Sequence, residues 1–552
     1  MIKDIKANLK SILQLTLIMS FPLLVLVIFG LFLINDFTLF FREVGAIVLI
    51  TAIFTGVILL INSFKIKKIS LFIFQFVLAL LVAIKAFFYF TFGTKPSASA
   101  IFIIFETNAK EVSEFFSSYF NISILSLITL CFLVFIFLII NLFYKPKFFQ
   151  FLRFHKTSSI FKITLILLML FSGYVLNRSF SEQSIILKLS HSIKEYNIAK
   201  NYYKEHLAKP KNNAINIISK DEEPQLGVVI IGESTSKWHM QLYGYNRETN
   251  PELSKLKKEL FVFNDVIAPD VMTIMSLEKV LTLSDFENPK IDNNFSVVQL
   301  ANAAAFETHW ISNQQPVGFT ESTPTIIATA AQHKKFLATD SYMYTIYDEA
   351  LIPEVKKALK TKSKRKLIFV HLIGTHRIYK KRYPESYNYF NGVNERTKFK
   401  TKYSKEKVNE YDNAVRYNDF VVNEIIKLIQ AENKNSFVVY FSDHGDDVFD
   451  TQDFVGHHRH KGSKPMFDIP FLSWFSKDYL EQNKRIDTLQ SYNNRSYNAE
   501  DFIYSFSDLI NVNFKGFDET RSIFSPNFKT RKRIIKKGLN YDTWKTNIDS
   551  EN

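Results

Sequence analysis

Cysteine is almost absent from this sequence of 552 residues: Cys131 is the only one, and it lies inside an apolar run. An intramolecular disulfide is therefore excluded, and cysteine usage says nothing about the compartment. Any folded domain must hold without covalent staples. A concentrated basic stripe is missing too. The formal net charge is +15, yet the lysines and arginines are scattered and no nucleic-acid-binding fingerprint accompanies them, so no nucleic-acid partner is expected. A positive surface facing anionic lipid headgroups is the better use of that charge. Nor does a small-residue cleavage site follow the first apolar run, which is too long for a secretory leader.

What is present is unevenly distributed. The chain is too long for one ordinary core, so two or more folding units are expected. Its mean hydropathy near zero averages two different solvents: the first third is rich in Leu, Ile, Phe and Val, and the rest has the mix of a soluble domain. Five apolar stretches, at about 11–34, 44–63, 69–92, 121–143 and 160–177, reach the roughly 20 residues that a helix needs to cross a hydrocarbon core. The alternative, buried helices of a soluble protein, sits badly with five such runs punctuated by basic loops. Lys3, Lys6 and Lys10 precede the first stretch. Lys65, Lys67 and Lys68 join the second to the third, and Lys145, Lys147, Arg153 and Lys156 join the fourth to the fifth. The alternate loops carry Arg42 in one and Lys95 and Lys110 in the other. Basic loops stay cytoplasmic, so the N-terminus is expected inside and everything after residue 178 outside. The loop 93–120 mixes polar and apolar residues in a way that fits either a short interfacial helix or a solvated bridge.

Residues 179–224 read as bridging helices, and from residue 225 the texture becomes that of alternating strands and helices. Leu226 to Ile231, Lys366 to Leu372 and Ser436 to Phe441 have the length and β-branching of buried parallel strands. A helical segment at 405–431 separates two of them, which favours an α/β/α sandwich. Open sheets of this kind place their chemistry beyond the carboxyl ends of the strands. There the sequence reads Gly232-Glu-Ser-Thr after the first strand and Ser442-Asp-His-Gly-Asp-Asp after the last. A Glu, an Asp and a His so placed supply the oxygens and imidazole nitrogen that zinc accepts. Ser234 and Thr235 are expected to cap a helix after the first strand. Thr273 and Ser276 are both available as nucleophiles if a helix starts there. His457, His458 and His460 crowd into one short segment, and not all of them can ligate a single ion.

The run from Gly232 to Leu253 resembles the opening block of the phosphoethanolamine transferases, in the sulfatase-like branch of the alkaline phosphatase superfamily. Further blocks agree in order: Thr273 to Leu283, Trp310 to Gln314, Gly374 to Pro384, Tyr411 to Asp419, and Ser442 through Trp474. The resemblance covers essentially the whole chain, including the five spans. It implies an N-terminal five-helix transmembrane bundle over 1–178, and a C-terminal sulfatase-like domain over 225–552. It also implies a residue set. Glu233, Asp443 and His444 match the family's zinc ligands, and Thr273 its nucleophile, which also contacts the metal. His376 and His457 match histidines that bind the substrate phosphate or a second zinc; which of His457, His458 and His460 enters the site stays open. Thr107, Asn108 and Glu111, in the loop after the third span, match residues expected to hold the donor headgroup.

The implied reaction has two steps. Thr273 takes phosphoethanolamine from phosphatidylethanolamine, releasing diacylglycerol, and a lipopolysaccharide acceptor then takes it from the enzyme, either on a core sugar or on lipid A. Zn2+ is the expected cofactor, one ion tightly bound with the number of others open. The expected setting is the Gram-negative inner membrane with the catalytic domain periplasmic. Ala268 to Ser276 departs from the Gly-Thr-rich nucleophile block of lipid A-modifying members, and their disulfides are absent. Leu242-Tyr-Gly-Tyr and Leu277-Glu-Lys-Val-Leu-Thr look more like the core-modifying members. A glycerophosphotransferase, another membrane-anchored sulfatase-like hydrolase and an inactive membrane scaffold are the alternatives. A sulfatase, however, would need a Cys or Ser in the formylglycine motif, and none stands there.

Overall fold

The computed structural model describes residues 2–34, 36–92, 122–153, 158–289, 294–314, 323–338, 346–392, 397–459, 462–483 and 489–544. They divide into two compact units that meet in sequence at Ile198 and Ala199.

The N-terminal unit is helical. Its elements are α1 (Ile2–Met19), α2 (Phe21–Leu33), α3 (Phe37–Leu60), α4 (Phe64–Phe92), α5 (Ile122–Tyr144) and α6 (Ser159–Ser179), followed by α7 (Ile185–Leu207), which carries the chain over the boundary. α3 to α6 are each long and apolar enough to span a bilayer, and α1 and α2 meet the same length and composition only as a pair, bent by 44°. The bend has a local cause. Pro22 stands at the start of α2, and a proline has no N–H to continue the ladder across the break at Ser20. Asp36 caps α3 by accepting from the amides of Thr38 and Leu39, which fixes where the second span begins. The outward faces are apolar: Phe32 is 80 % exposed, Phe143 74 % and Ile160 77 %. Water would not tolerate so much contiguous apolar surface, so the unit is built for lipid. Inside it, Lys85 donates to the Glu43 carboxylate and to the Gln183 carbonyl, and the Tyr89 hydroxyl donates to Glu43 at 3.1 Å. All four residues are buried. An intramembrane charge is tolerated only when partnered in this way.

Among the described residues of the second unit, a seven-stranded sheet forms the centre. Its strands are β1 (Gln225–Gly232), β2 (Leu260–Phe263), β3 (Glu307–Ser312), β4 (His333–Phe336), β5 (Arg365–His371), β6 (Ser436–Ser442) and β7 (Phe471–Phe475). Their order across the sheet is β2-β7-β6-β1-β5-β3-β4. Every pairing from β6 through β4 is parallel, and β7 runs against both of its neighbours. The central strands are buried along their whole length, as expected of strands covered on both faces.

Alternation along β1 sorts the core into two layers. Val229 and Ile231 face one layer with α8 (Thr273–Val280), α9 (Val297–Ala303) and a helix at Phe502–Leu509. Leu226, Val228 and Ile230 face the other, with Leu351–Leu359 and the 29-residue helix Lys402–Gln430. This is the α/β/α sandwich expected from the sequence. Because β1, β5 and β6 lie side by side and run the same way, their carboxyl ends bring Glu233, the turn after His371 and Asp443 to one edge.

Candidate active site

Glu233 leaves the end of β1 with its backbone clamped. Its carbonyl accepts from the Thr375 amide at 3.0 Å and the Thr375 hydroxyl at 3.1 Å. The next residue, Ser234, is held at φ 58°, a left-handed conformation that costs a non-glycine residue about 1–3 kcal/mol and recurs at functional sites. That conformation aims the Ser234 amide at Asp443 Oδ1 (3.0 Å) and its hydroxyl at Glu233 Oε1 (2.8 Å). The expectation that Ser234 and Thr235 cap a helix fails here. No helix follows β1 directly; Ser236 caps a short turn at Lys237–His239, while the Thr235 amide donates to the Ser442 hydroxyl.

Asp443 and His444 follow β6. Asp443 Oδ1 accepts from the amides of Ser234 and His444, whereas its Oδ2 is buried with no hydrogen-bond partner among the described residues. His444 Nδ1 meets the Gly445 carbonyl at 3.0 Å. A carbonyl can only accept, so Nδ1 carries a proton and Nε2 is turned toward the cluster, where it would present a lone pair once an ion takes the place of its own proton. Nε2 lies 3.4 Å from both Glu233 Oε1 and Asp443 Oδ2. Thr273 completes the group from the first turn of α8. Its hydroxyl stands 3.2 and 3.3 Å from the two Glu233 oxygens and 3.2 Å from His444 Nε2. Met272, at the N-cap, makes no side-chain cap, which leaves first-turn amides for an anionic oxygen. Ser276 points elsewhere: it is fully buried and donates to the Asp443 carbonyl at 2.6 Å.

The electrostatics are those of a crowded, dry cluster. Burial alone would lift the Glu233 carboxyl, but the hydrogen bond and charge of His444 hold it well below the usual range. Asp443 is pushed well above that range by burial and by Glu233 beside it. His444 is driven to about 10 against its burial, chiefly by Asp443 and Glu233. Two carboxylates sharing one imidazole in this way are a set that a divalent cation would stabilise in place of protons. Glu233, Asp443 and His444 each have a ligand atom within 4.8 Å of the others. The unpartnered Asp443 Oδ2 therefore fits a metal, and the Glu, Asp, His and hydroxyl donors suit zinc.

A second layer adjoins the first. The His457 ring packs 4.2 Å from that of His444, and its Nδ1 lies 2.7 Å from Asp446 Oδ1. Tyr379 donates to the other Asp446 oxygen at 2.7 Å. His457 is thus brought beside the cluster, and His460 lies outside the described residues. His376 acts on Glu233 through its charge, and the Arg382 guanidinium donates to its carbonyl at 2.8 Å. Thr107, Asn108 and Glu111 lie outside the described residues. Sequence reasoning gave no role to three residues that hold this site in shape. Gln314 donates to Glu233 Oε2 at 3.0 Å and to the Leu372 carbonyl at 2.9 Å. Asp348 accepts from the amides of Ile373 and Gly374, and Tyr379 steadies Asp446. Gln314 closes the block singled out at Trp310 and Tyr379 lies in the block from Gly374 to Pro384, whereas Asp348 falls in none.

Comparison with known proteins agrees with this architecture. The Sulfatase family model matches residues 225–512. Phosphoethanolamine transferase EptC of Escherichia coli O18:K1:H7 (strain RS218) is 33% identical over an alignment of 486 residues that covers 83% of this chain and 83% of that one. The C-terminal periplasmic domain of EptC from Escherichia coli, solved in complex with Zn, matches with a TM-score of 0.57 at 35% identity, over 59% of this chain and 96% of that one. The fold likeness extends through the helical unit. The integral membrane protein lipooligosaccharide phosphoethanolamine transferase A of Neisseria meningitidis matches with a TM-score of 0.58 at 17% identity, over 84% of this chain and 88% of that one.

Proposed function

This chain belongs to the phosphoethanolamine transferases of the sulfatase family, and from that premise we propose that it moves phosphoethanolamine from phosphatidylethanolamine to a lipopolysaccharide acceptor through a covalent adduct on Thr273. The observation that carries this reading is the convergence of Glu233 and His444 on the Thr273 hydroxyl, within 3.3 Å of it, beside Asp443 Oδ2, which has no hydrogen-bond partner among the described residues. In the first half-reaction Thr273 Oγ1 attacks phosphorus, the bond from phosphorus to the diacylglycerol oxygen breaks, and the proton lost by the threonine hydroxyl ends on that oxygen, so that diacylglycerol leaves as the alcohol. In the second, an acceptor hydroxyl oxygen attacks the same phosphorus, the bond from phosphorus to Thr273 Oγ1 breaks, and the acceptor's proton restores the threonine hydroxyl. Glu233, Asp443, His444 and Thr273 would hold zinc. Bound there, the ion would lower the pKa of the hydroxyl and neutralise charge on the phosphoryl oxygens.

The remaining roles fall to the chain itself. Glu233 accepts from the Thr273 hydroxyl and so turns an oxygen lone pair toward the incoming phosphorus, a matter of orientation more than of acid strength. The first-turn amides of α8 receive a phosphoryl oxygen, where dipole and unpaired N–H groups favour negative charge. His376 and His457 bind the remaining phosphoryl oxygens or a further zinc ion. Thr107, Asn108 and Glu111 are assigned to the donor headgroup.

Residues 1–178 serve as the membrane anchor, 179–224 as the bridge and 225–552 as the catalytic domain. The N-terminus lies in the cytoplasm and the catalytic domain in the periplasm of a Gram-negative cell, the protein sitting in the inner membrane. Two observations support that orientation: the lysine and arginine asymmetry of the loops, and the relative whose corresponding domain is periplasmic. A core sugar is favoured over lipid A as acceptor because of the Ala268 to Ser276 block. Mass spectrometry of lipopolysaccharide from cells with and without the gene tests the whole reading. A phosphoethanolamine increment on a core sugar, present only with the gene, is expected; identical profiles would overturn it.

A further inference from the structure

A second cluster of metal-ligating side chains stands at the other end of the sheet. Glu307 and His309 lie on β3, two residues apart, and therefore share a face. His333, on the edge strand β4, pairs directly with His309 across the parallel ladder. The two imidazoles stack at 4.5 Å. Glu307 Oε1 lies 3.0 Å from His333 Nε2 and 3.6 Å from His309 Nε2, and one ligand atom from each of the three falls within 4.8 Å of the others. His309 is only 5 % exposed, yet its Nε2 makes no hydrogen bond among the described residues. A buried imidazole nitrogen without a partner, turned toward a carboxylate and a second imidazole, calls for an occupant.

We propose that Glu307, His309 and His333 form a structural zinc site that ties edge strand β4 to β3. Two nitrogens and one carboxylate oxygen are donors that zinc takes, and tetrahedral bonds of about 2.0–2.1 Å separate the donors by about 3.3 Å. The two measured carboxylate–imidazole separations bracket that value. The second Glu307 oxygen is already oriented, because the Thr361 hydroxyl donates to Oε2 at 2.7 Å. This is the outer support that metal-binding carboxylates use. Lys366, a cation beside the cluster, has its ammonium engaged by the Leu359 and Thr361 carbonyls. His333 is 54 % exposed on its side chain, which gives an ion a path in and leaves a fourth position for water. Chemistry at the active edge is out of reach. Glu307 begins β3 while the catalytic residues follow the strand ends, roughly 16 Å away at about 3.3 Å per residue. The ion's work is to close an edge strand of four residues that otherwise rests on one neighbour.

The test counts zinc on the full-length chain in detergent, stripped with a chelator, reloaded at fixed free zinc, desalted and measured by plasma mass spectrometry. The wild type is expected to hold one zinc per chain more than either His333→Gln or His309→Gln, while both variants keep phosphoethanolamine transfer. Equal zinc in the wild type and both variants would overturn the proposal, and so would a loss confined to the catalytic cluster. His333 is largely in solvent, so His333→Gln decides alone if His309→Gln does not fold.

Discussion

Replacing Gly374 by alanine should loosen the active site without touching any of its chemical groups. Gly374 sits at φ +51°, and a Cβ there would come 2.8 Å from the Glu233 carbonyl oxygen and 2.9 Å from its amide nitrogen. Both are backbone atoms and cannot swing aside. The same Glu233 carbonyl is gripped by Thr375, so the strain falls on the residue assigned to hold zinc. The left-handed conformation costs alanine about 1–2 kcal/mol, and overpacking adds about 1–3 kcal/mol. A total of about 2–5 kcal/mol lowers the unfolding midpoint of a domain this size by roughly 4–10 °C, at about 2 °C per kcal/mol. Zinc affinity should fall with it, because Glu233 is displaced from Asp443 and His444. Gly392→Ala is the control: no atom lies within 4 Å of a Cβ there, and its effect should stay within about 0.5 kcal/mol. The assay is thermal unfolding together with competition for zinc against a chromophoric chelator, on full-length chains in detergent. If Gly374→Ala matches Gly392→Ala in both readouts, the clamp on Glu233 is not what shapes the site.

Three other perturbations test neighbouring parts of the account. Asp443→Asn keeps the Oδ1 acceptor used by Ser234 and His444 but replaces the unpartnered Oδ2, so zinc binding should drop by more than the roughly 10–100-fold typical of outer-shell losses. Transfer should fall alongside, and full zinc with full transfer would contradict the ligand set. His239 lies between Asp412 (2.6 Å) and Asp450 (3.2 Å); burial alone would lower it, yet Asp450 and Asp412 outweigh that and push it up to about 10. A histidine raised above its ordinary 6.5 stabilises the fold fully below that pH, and the contribution is lost as pH rises through about 10. Denaturant titrations at pH 7 to 10.5 should therefore show falling stability in the wild type and a flatter profile in His239→Gln; equal slopes would contradict the assignment. Finally, a periplasmic phosphatase fused after residue 200 should be active in cells, and an inactive fusion would reverse the orientation.

The parts of the fold that were legible in the sequence were those whose burial is local and continuous. β1, β5 and β6 are covered on both faces and read as unbroken apolar runs, and the long helix expected at 405–431 is Lys402–Gln430. The first apolar stretch was legible as apolar but not as bent between α1 and α2, because hydropathy counts side chains and ignores the missing N–H of Pro22. In the site, the strand ends announced Glu233, Asp443 and His444 through their neighbours in sequence. Ser234 was misread, since propensity favours a cap while its actual partner, Asp443, lies 209 residues away. The roles of Gln314 and Asp348 were hidden for the same reason, although the block ending in Gln314 stood out: each acts on a backbone or carboxylate that only the folded sheet brings near. Nothing in a local pattern separates such residues from ordinary loop polars.

The most direct test of the central claim is an intact-mass and peptide-mapping measurement of the full-length enzyme mixed with phosphatidylethanolamine and denied its acceptor. One phosphoethanolamine should be found on Thr273 of the wild type, and none on a Thr273→Ala chain that folds, retains zinc and has lost transfer by at least about 10³-fold. An adduct on Ser276, or undiminished transfer by Thr273→Ala, would contradict the account.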